Sequence, residues 1–168
     1  DTIGVSEDQN VFHQWSGLSN TAVVETWKFV AGQPLWFKTR LQISDATQSD
    51  FLIGLQITDT SPFDATDGVW FAKIDGSTTV NLLVTKNSTS TTTQVLAPMV
   101  AATYYQLGFY YNGIDAIDIF LDDNRIGSSA VTNLPDDEEL TISFGVQNGE
   151  NAAKTMSVDY ILVSKIRV

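Results

Sequence analysis

The sequence predicts an all-β protein, built as an antiparallel sandwich of two sheets. Apolar and polar residues alternate with a period of two along most of the chain, turn residues recur at short intervals, and no segment sustains a helical period. About eleven strands are predicted at a spacing of ~8–12 residues, which is typical of sandwiches and barrels. A chain of 168 residues is long enough for one domain with a sizeable core.

The predicted strands follow from alternating runs separated by turn sequences. They are 21–30, 35–44, 51–59, 68–75, 78–86, 90–97, 103–112, 116–123, 125–130, 140–148 and 155–168, with a further short strand around His13. Sequences such as AGQP at 31–34 and DGS at 75–77 favour tight turns between neighbouring strands. The only helical turn predicted lies in 133–140, where Pro135 suits a first helical position and acidic residues follow it.

The closing strand carries most of the topological information. Its apolar residues on one face are Met156, Val158, Tyr160 and Leu162. The other face begins polar and becomes apolar at Ile161 and Val163. Because a strand that is apolar on both faces is typical of the middle of a sheet, the sequence predicts a central C-terminal strand. Such a strand requires long-range pairing, as in a jelly roll rather than a simple meander.

Composition excludes some functions. The net charge of −11 repels phosphate backbones, so nucleic acid is not expected as a partner. The chain contains no cysteine, which excludes disulfides and thiolate sites, and no apolar run of the ~18 residues that a membrane span requires. We predict a polar N-terminal arm over residues 1–10 and a single jelly-roll domain over residues 11–168.

No catalytic centre is predicted. Retaining glycoside hydrolysis needs two carboxylates about 5–5.5 Å apart, and the adjacent Glu138 and Glu139 would point to opposite faces of a strand. His13 is the single histidine, and no nucleophile elbow or His/Cys cluster accompanies it. His13 is therefore interpreted as a surface or edge-strand residue, and the chain as a non-enzyme without a required cofactor.

One loop is a candidate for calcium. Asp59, Asp64 and Asp67 lie in the sequence TDTSPFDATDG, and hard cations bind several loop oxygens. The spacing does not match an EF-hand. The alternative is that these aspartates cap turns by accepting backbone N–H bonds.

Four tryptophans are candidates for contact with a sugar or a protein partner, since aromatic planes stack on sugars. Trp36 and Trp70 are each followed by phenylalanine, so one member of each pair must face the core. Trp15, Trp27 and Trp36 are the predicted contact residues.

The segments FKTRLQIS, FLIGLQITD, YYQLGFYYNGIDAIDIFLDDNRIGS and MSVDYILV resemble the strand order of the concanavalin-like lectin and glucanase jelly roll. The segments FLIGLQITDTSPFDATDGVWFAKIDG, LGFYYNG and TNLPDDEELTISFGVQNGENAAKTMSVDYI resemble those of tailed-phage virion structural proteins, over roughly residues 36–163.

The phage resemblance implies a non-enzymatic protein on the capsid surface, decorating or stabilising the shell by binding the major capsid protein. A homo-oligomer is expected, with a trimer favoured. The alternative is a lectin-like carbohydrate-binding module on a virion or cell surface.

Overall fold

The computed structural model describes residues 6–15, 17, 18 and 23–166. The strands within these ranges are β1 Asn10–Trp15, β2 Gly17–Leu18, β3 Val23–Val24, β4 Leu35–Ile43, β5 Ser49–Gln56, β6 Gly68–Lys73, β7 Val80–Lys86, β8 Thr89–Leu96, β9 Tyr105–Tyr111, β10 Ala116–Leu121, β11 Asn124–Ala130, β12 Thr141–Asn148 and β13 Met156–Lys165. No helix in the described ranges is long and apolar enough to cross a membrane.

Two antiparallel sheets form a sandwich, which confirms the predicted fold class. The six-stranded sheet has the order β1-β12-β5-β6-β7-β8, and the five-stranded sheet has the order β11-β10-β9-β4-β13. Strands β2 and β3 form a separate two-stranded ribbon. Several neighbours in both main sheets are distant in the chain, as the jelly-roll prediction requires.

Aromatic rings from both sheets fill the space between them. Phe37 and Phe109 of the five-stranded sheet stack with centroids 5.1 Å apart and ring planes at 10°. Phe71 of the six-stranded sheet reaches Phe109 at 6.0 Å, and all three side chains are fully buried. The prediction that one member of each Trp-Phe pair faces the core is confirmed, since Phe37 and Phe71 are those members.

The two sides of the sandwich differ. On one side β8 and β11 lie against each other, and the Asn133 amide donates to the Thr91 hydroxyl at 3.0 Å. On the opposite side, β1 and β13 are the edge strands and border a cleft of ≈ 450 Å³ between the sheets.

The closing strand is an edge strand, so the predicted central position is wrong. Among the described residues β13 pairs with β4 alone, and its register shifts between Val158 and Tyr160. The bulge at Asp159 turns Val158 and Ile161 toward the same inner face, whereas Tyr160 lies on the outer face. The bulge reverses which alternate residues face inward. The apolar residues on both faces of the sequence pattern therefore result from this reversal and not from burial on both sides.

Two other predictions are corrected. Residues 133–140 contain no helical turn; a short 3-10 turn lies at Pro62–Asp64 instead, with Pro62 at its start. The predicted strand 21–30 is reduced to Val23–Val24 and two isolated bridges, Trp27 with Leu140 and Val30 with Gln33. Residues 21 and 22 lie outside the described ranges. Residues 1–5 of the predicted arm also lie outside them, and Asn10 already belongs to β1.

A buried lysine joins the loops at one end of the sandwich. The Lys154 ammonium donates to Asp45 at 2.9 Å and to Glu150, and its side chain is 6% exposed. Its hydrogen bond lowers the pKa of Asp45 to about 2, assisted by the backbone N–H groups of Gln48 and Thr47 and opposed by burial. The pKa of Lys154 is raised overall. Burial alone would lower it, but the hydrogen bonds and charges of Asp45 and Glu150 outweigh burial.

Candidate functional site

The outer face of the five-stranded sheet carries an aromatic cluster. Trp36 on β4 lies opposite Tyr110 on β9, and their rings stack with centroids 4.6 Å apart at 30°. The ring of Phe120 on β10 also packs against Trp36, with ring centroids 4.8 Å apart and ring planes at 45°. The Trp36 residue keeps 37% of its surface exposed. Its ring is thus held in place by two neighbours and still accessible to a ligand.

Gly108 forms the floor of a depression beside this cluster. It lies between Lys38 on β4 and Phe120 on β10, which are its direct cross-strand neighbours. A Cβ atom at Gly108 would lie 3.3 Å from the Phe37 backbone oxygen, 3.7 Å from the Phe120 Cβ and 3.8 Å from the Lys38 Cγ. A larger side chain would project into the space between Phe120 and Lys38. A glycine inside a strand often marks a place where a ligand or another backbone comes close.

A hairpin turn places a carboxylate at the rim. Asp122 and Asp123 both have positive φ, 48° and 66°, as the two central residues of the β10–β11 turn. Aspartate tolerates this left-handed conformation better than most residues, and such turns match the twist of the strands. Asp123 forms an ion pair with the Lys38 ammonium, and this hydrogen bond raises the pKa of Lys38.

The far end of the depression is polar. Gln106 lies one pleat from Gly108 on the same face of β9, opposite Arg40. Its side-chain oxygen accepts a hydrogen bond of 2.7 Å from the Tyr160 hydroxyl. This bond holds the carboxamide in one orientation, and the amide NH₂ remains as the donor end of the group.

Together these residues enclose ≈ 220 Å³, which we call the Gly108 pit. It is lined by Trp36, Lys38, Gln106, Leu107, Gly108, Phe120 and Asp123. Apolar aromatic walls with a few fixed polar groups are the usual composition of a small-molecule site. The sequence prediction included Trp36 but missed the other members. The alternation of Gln106, Gly108 and Tyr110 along β9 was a signal for them.

The structure does not bring the three predicted contact tryptophans together. Trp15 is 67% exposed and lines the cleft between β1 and β13. Trp27 is half-buried beside Leu140 in a separate, more polar cleft. Trp70 lies on the outer face of the six-stranded sheet but is 4% exposed. Of the tryptophans, Trp36 alone combines an accessible ring with a small enclosed pocket on a sheet face in the described part of the chain.

The three predicted calcium ligands do not form a metal site among the described residues. The Asp67 carboxylate accepts from the Asn87 backbone N–H at 2.9 Å, and Asp59 accepts from the Ser61 N–H at 2.8 Å. Asp64 lies in the 3-10 turn. Over residues 6–15 and 23–166, no group of three acidic, histidine or cysteine side chains is placed to hold a metal ion. Two of the three aspartates act as turn caps, the alternative that the sequence left open, and calcium binding remains a prediction.

His13 lies on the edge strand β1 with an exposed side chain, as predicted. Its ring stacks on Phe144 with centroids 5.2 Å apart. Both line the β1–β13 cleft together with Asp159 and Tyr160.

No protein-family model matches the sequence, and no curated protein matches it significantly. Solved structures do share the fold. The carbohydrate recognition domain of Emp46p in its potassium-bound form has a TM-score of 0.63 at 7% identity, covering 96% of this chain and 81% of that one. A sheep galectin-11 complex with glycerol has a TM-score of 0.52 at 11% identity, covering 95% and 100%. Alginate lyase A1-II′, of polysaccharide lyase family 7, has a TM-score of 0.55 at 10% identity, covering 96% and 81%.

These similarities establish the class of fold: a concanavalin-like jelly roll of the kind found in lectins and in some polysaccharide-degrading enzymes. At such low identities the likeness concerns the fold alone. The function has to be argued from the residues of this chain.

Proposed function

We propose that this chain is a non-enzymatic carbohydrate-binding domain and that the Gly108 pit is its sugar site. The observation that carries the proposal is the pit itself, with Trp36 and Phe120 as walls and Lys38, Asp123 and Gln106 around them. A sugar presents apolar C–H faces and hydroxyl groups at its edge. Aromatic walls suit the first, and an ammonium, a carboxylate and a carboxamide suit the second.

The structural neighbours support the same class of function. A domain named for carbohydrate recognition and a galectin are among the proteins that share this topology. The fold also occurs in an alginate lyase, so topology leaves catalysis open. The pit argues against hydrolysis, because its described lining contains a single carboxylate, Asp123, which is paired with Lys38. Glycoside hydrolysis by the usual route needs two carboxylates facing each other across the bond.

The expected affinity is weak. A hexose has ~12 non-hydrogen atoms, and at ~0.3–0.4 kcal/mol per atom the binding free energy is about 4 kcal/mol, which corresponds to a Kd of about 1 mM. Weak sites of this kind become effective when several act together on one surface.

The test is replacement of the exposed ring. Trp36→Ala removes the stacking wall, and we expect sugar affinity to fall tenfold or more, because an aromatic contact contributes ~0.5–1.5 kcal/mol beyond the area that it buries. A glycan array followed by NMR titration of the sugars that bind would measure this. Trp15→Ala is the matched control, since it removes an exposed tryptophan outside the pit. Equal binding by the Trp36→Ala variant and the unaltered protein would refute the assignment of the site.

The sequence resemblance to tailed-phage virion proteins supports a second proposal, about location. The acidic domain would decorate a capsid exterior as a homo-oligomer, preferably a trimer, bound to the major capsid protein. Display in many copies is compatible with a weak sugar site. Co-sedimentation with shells that lack the protein is the test. Failure to bind those shells, together with a monomer by light scattering, would remove the virion role and leave the sugar proposal intact.

A further inference from the structure

We infer that the Gly108 pit accepts one terminal, uncharged sugar residue, and neither an internal unit of a chain nor a uronic acid. This inference rests on the proposed function and specifies the class of ligand that the same site takes.

The enclosure of the pit limits the ligand to one residue. Around the floor at Gly108, Lys38 and Phe120 stand on the neighbouring strands, and Gln106 and Tyr110 stand one pleat away in each direction along β9. The floor is therefore bounded both across the strands and along them. The volume of ≈ 220 Å³ is below the ~300–1,000 Å³ of pockets for larger ligands. A chain that passes through would need an open groove, so a sugar has to enter by its end.

The charges of the pit cancel. The Lys38 ammonium is the cation among its lining residues, and it is paired with Asp123. The same pattern holds across this face: Arg40 pairs with Asp159 at 2.7 Å, and Arg125 pairs with Asp118 at 2.6 Å.

A uronate carboxylate would have to displace Asp123 from Lys38. It would also be repelled by a chain with a net charge of −11. A neutral residue needs no such displacement. Its hydroxyl groups can donate to the Asp123 carboxylate and accept from Lys38 while the pair stays intact.

The experiment is an NMR titration of the complete chain, observing the Gly108 amide and the Trp36 indole N–H. The probes are the methyl glycosides of glucose, galactose and mannose, methyl glucuronoside, and linear and cyclic oligosaccharides of glucose. We expect at least one neutral methyl glycoside to shift both signals. The uronoside should bind at least tenfold more weakly, and lengthening the chain of a sugar that binds should change affinity less than threefold. If the glucoside binds, the cyclic oligosaccharide, which has no end, should not.

Two variants test the physical basis. Gly108→Val fills the floor and should weaken sugar binding at least tenfold, whereas Gly127→Val, at a strand glycine with nothing within 4 Å of an added Cβ, should not. Asp123→Asn keeps a side chain suited to positive φ but leaves Lys38 without its carboxylate. This second variant alters an exposed residue and should gain affinity for the uronoside at least threefold while losing affinity for the neutral sugar.

The outcomes separate the inference from the proposed function. Uronoside binding as tight as that of the neutral sugars, or tenfold tighter binding of longer chains, would overturn the inference while leaving a carbohydrate-binding protein. Unchanged sugar specificity in Asp123→Asn would overturn the charge argument. Absence of binding to every probe and on a glycan array would overturn the proposed function itself.

Discussion

Replacing Asp45 with asparagine should destabilise the protein through the buried Lys154. The fall of the Asp45 pKa from 3.8 to about 2 corresponds to at most about 2.5 kcal/mol of folding free energy, at roughly 1.4 kcal/mol per pH unit. Solvent screening reduces this figure, because the Asp45 side chain is 30% exposed. The carboxamide oxygen of the variant would retain the backbone N–H bonds from Thr47 and Gln48, which now reach one carboxylate oxygen at 2.8 and 2.9 Å. We therefore expect Asp45→Asn to cost ~1–2 kcal/mol, or about 2–8 °C in Tm for a domain of this size.

The pH dependence distinguishes this ion pair from a general loss of packing. Because folding lowers the pKa of Asp45, its contribution is fully present above pH ~4 and is lost as the pH falls toward about 2. Urea unfolding at pH 7 should show a lower free energy of unfolding for Asp45→Asn than for the unaltered protein. Near pH 2 this gap in free energy should close. Asp159→Asn is the control, since its partner Arg40 is 38% exposed and such pairs contribute ~0–1 kcal/mol. A gap of the same size at both pH values, or no gap at pH 7, would refute the reasoning.

Two further predictions concern packing. Gly54→Ala should be strongly destabilising or block folding, because its Cβ would overlap the Trp70 backbone. The free energy of unfolding of Gly127→Ala should lie within about 0.5 kcal/mol of that of the unaltered protein. Equal Tm values for the two variants would contradict this prediction. Phe109→Ala should cost about 3–5 kcal/mol in urea unfolding, and Tyr160→Ala distinctly less, because Phe109 is fully buried and Tyr160 half-buried; a larger loss at Tyr160 would mean that the closing strand carries more of the core than its edge position implies.

Local patterns predicted the strands and the orientation of single side chains. The alternation around Trp36 and Phe37 was enough to place one ring inside and the other outside. The position of β13 was mispredicted because an apolar residue on each face has two causes, a central position or a bulge. The inward-facing apolar residues are two positions apart at Met156 and Val158 but three positions apart at Val158 and Ile161. This change of spacing was the sign of the bulge.

The Gly108 pit depends on information that local patterns lack. Trp36, Gly108 and Phe120 lie on three strands, and only the register between β4, β9 and β10 brings them together. The contact of Asp123 with Lys38 joins positions 85 residues apart. The missing information is therefore the long-range register between the strands. The glycine within β9 was the one local sign of the site.

The bulge in β13 also affects how this edge strand can meet a neighbouring copy of the domain. An exposed, flat edge strand is a template to which another chain can add, and repeated addition produces fibres. Asp159 interrupts the row of backbone donors and acceptors in the middle of this strand and places a charge there, held by Arg40. A second copy cannot extend the sheet past that point without losing hydrogen bonds and burying the ion pair. Strand addition by a neighbouring copy should consequently be disfavoured at this edge of the five-stranded sheet.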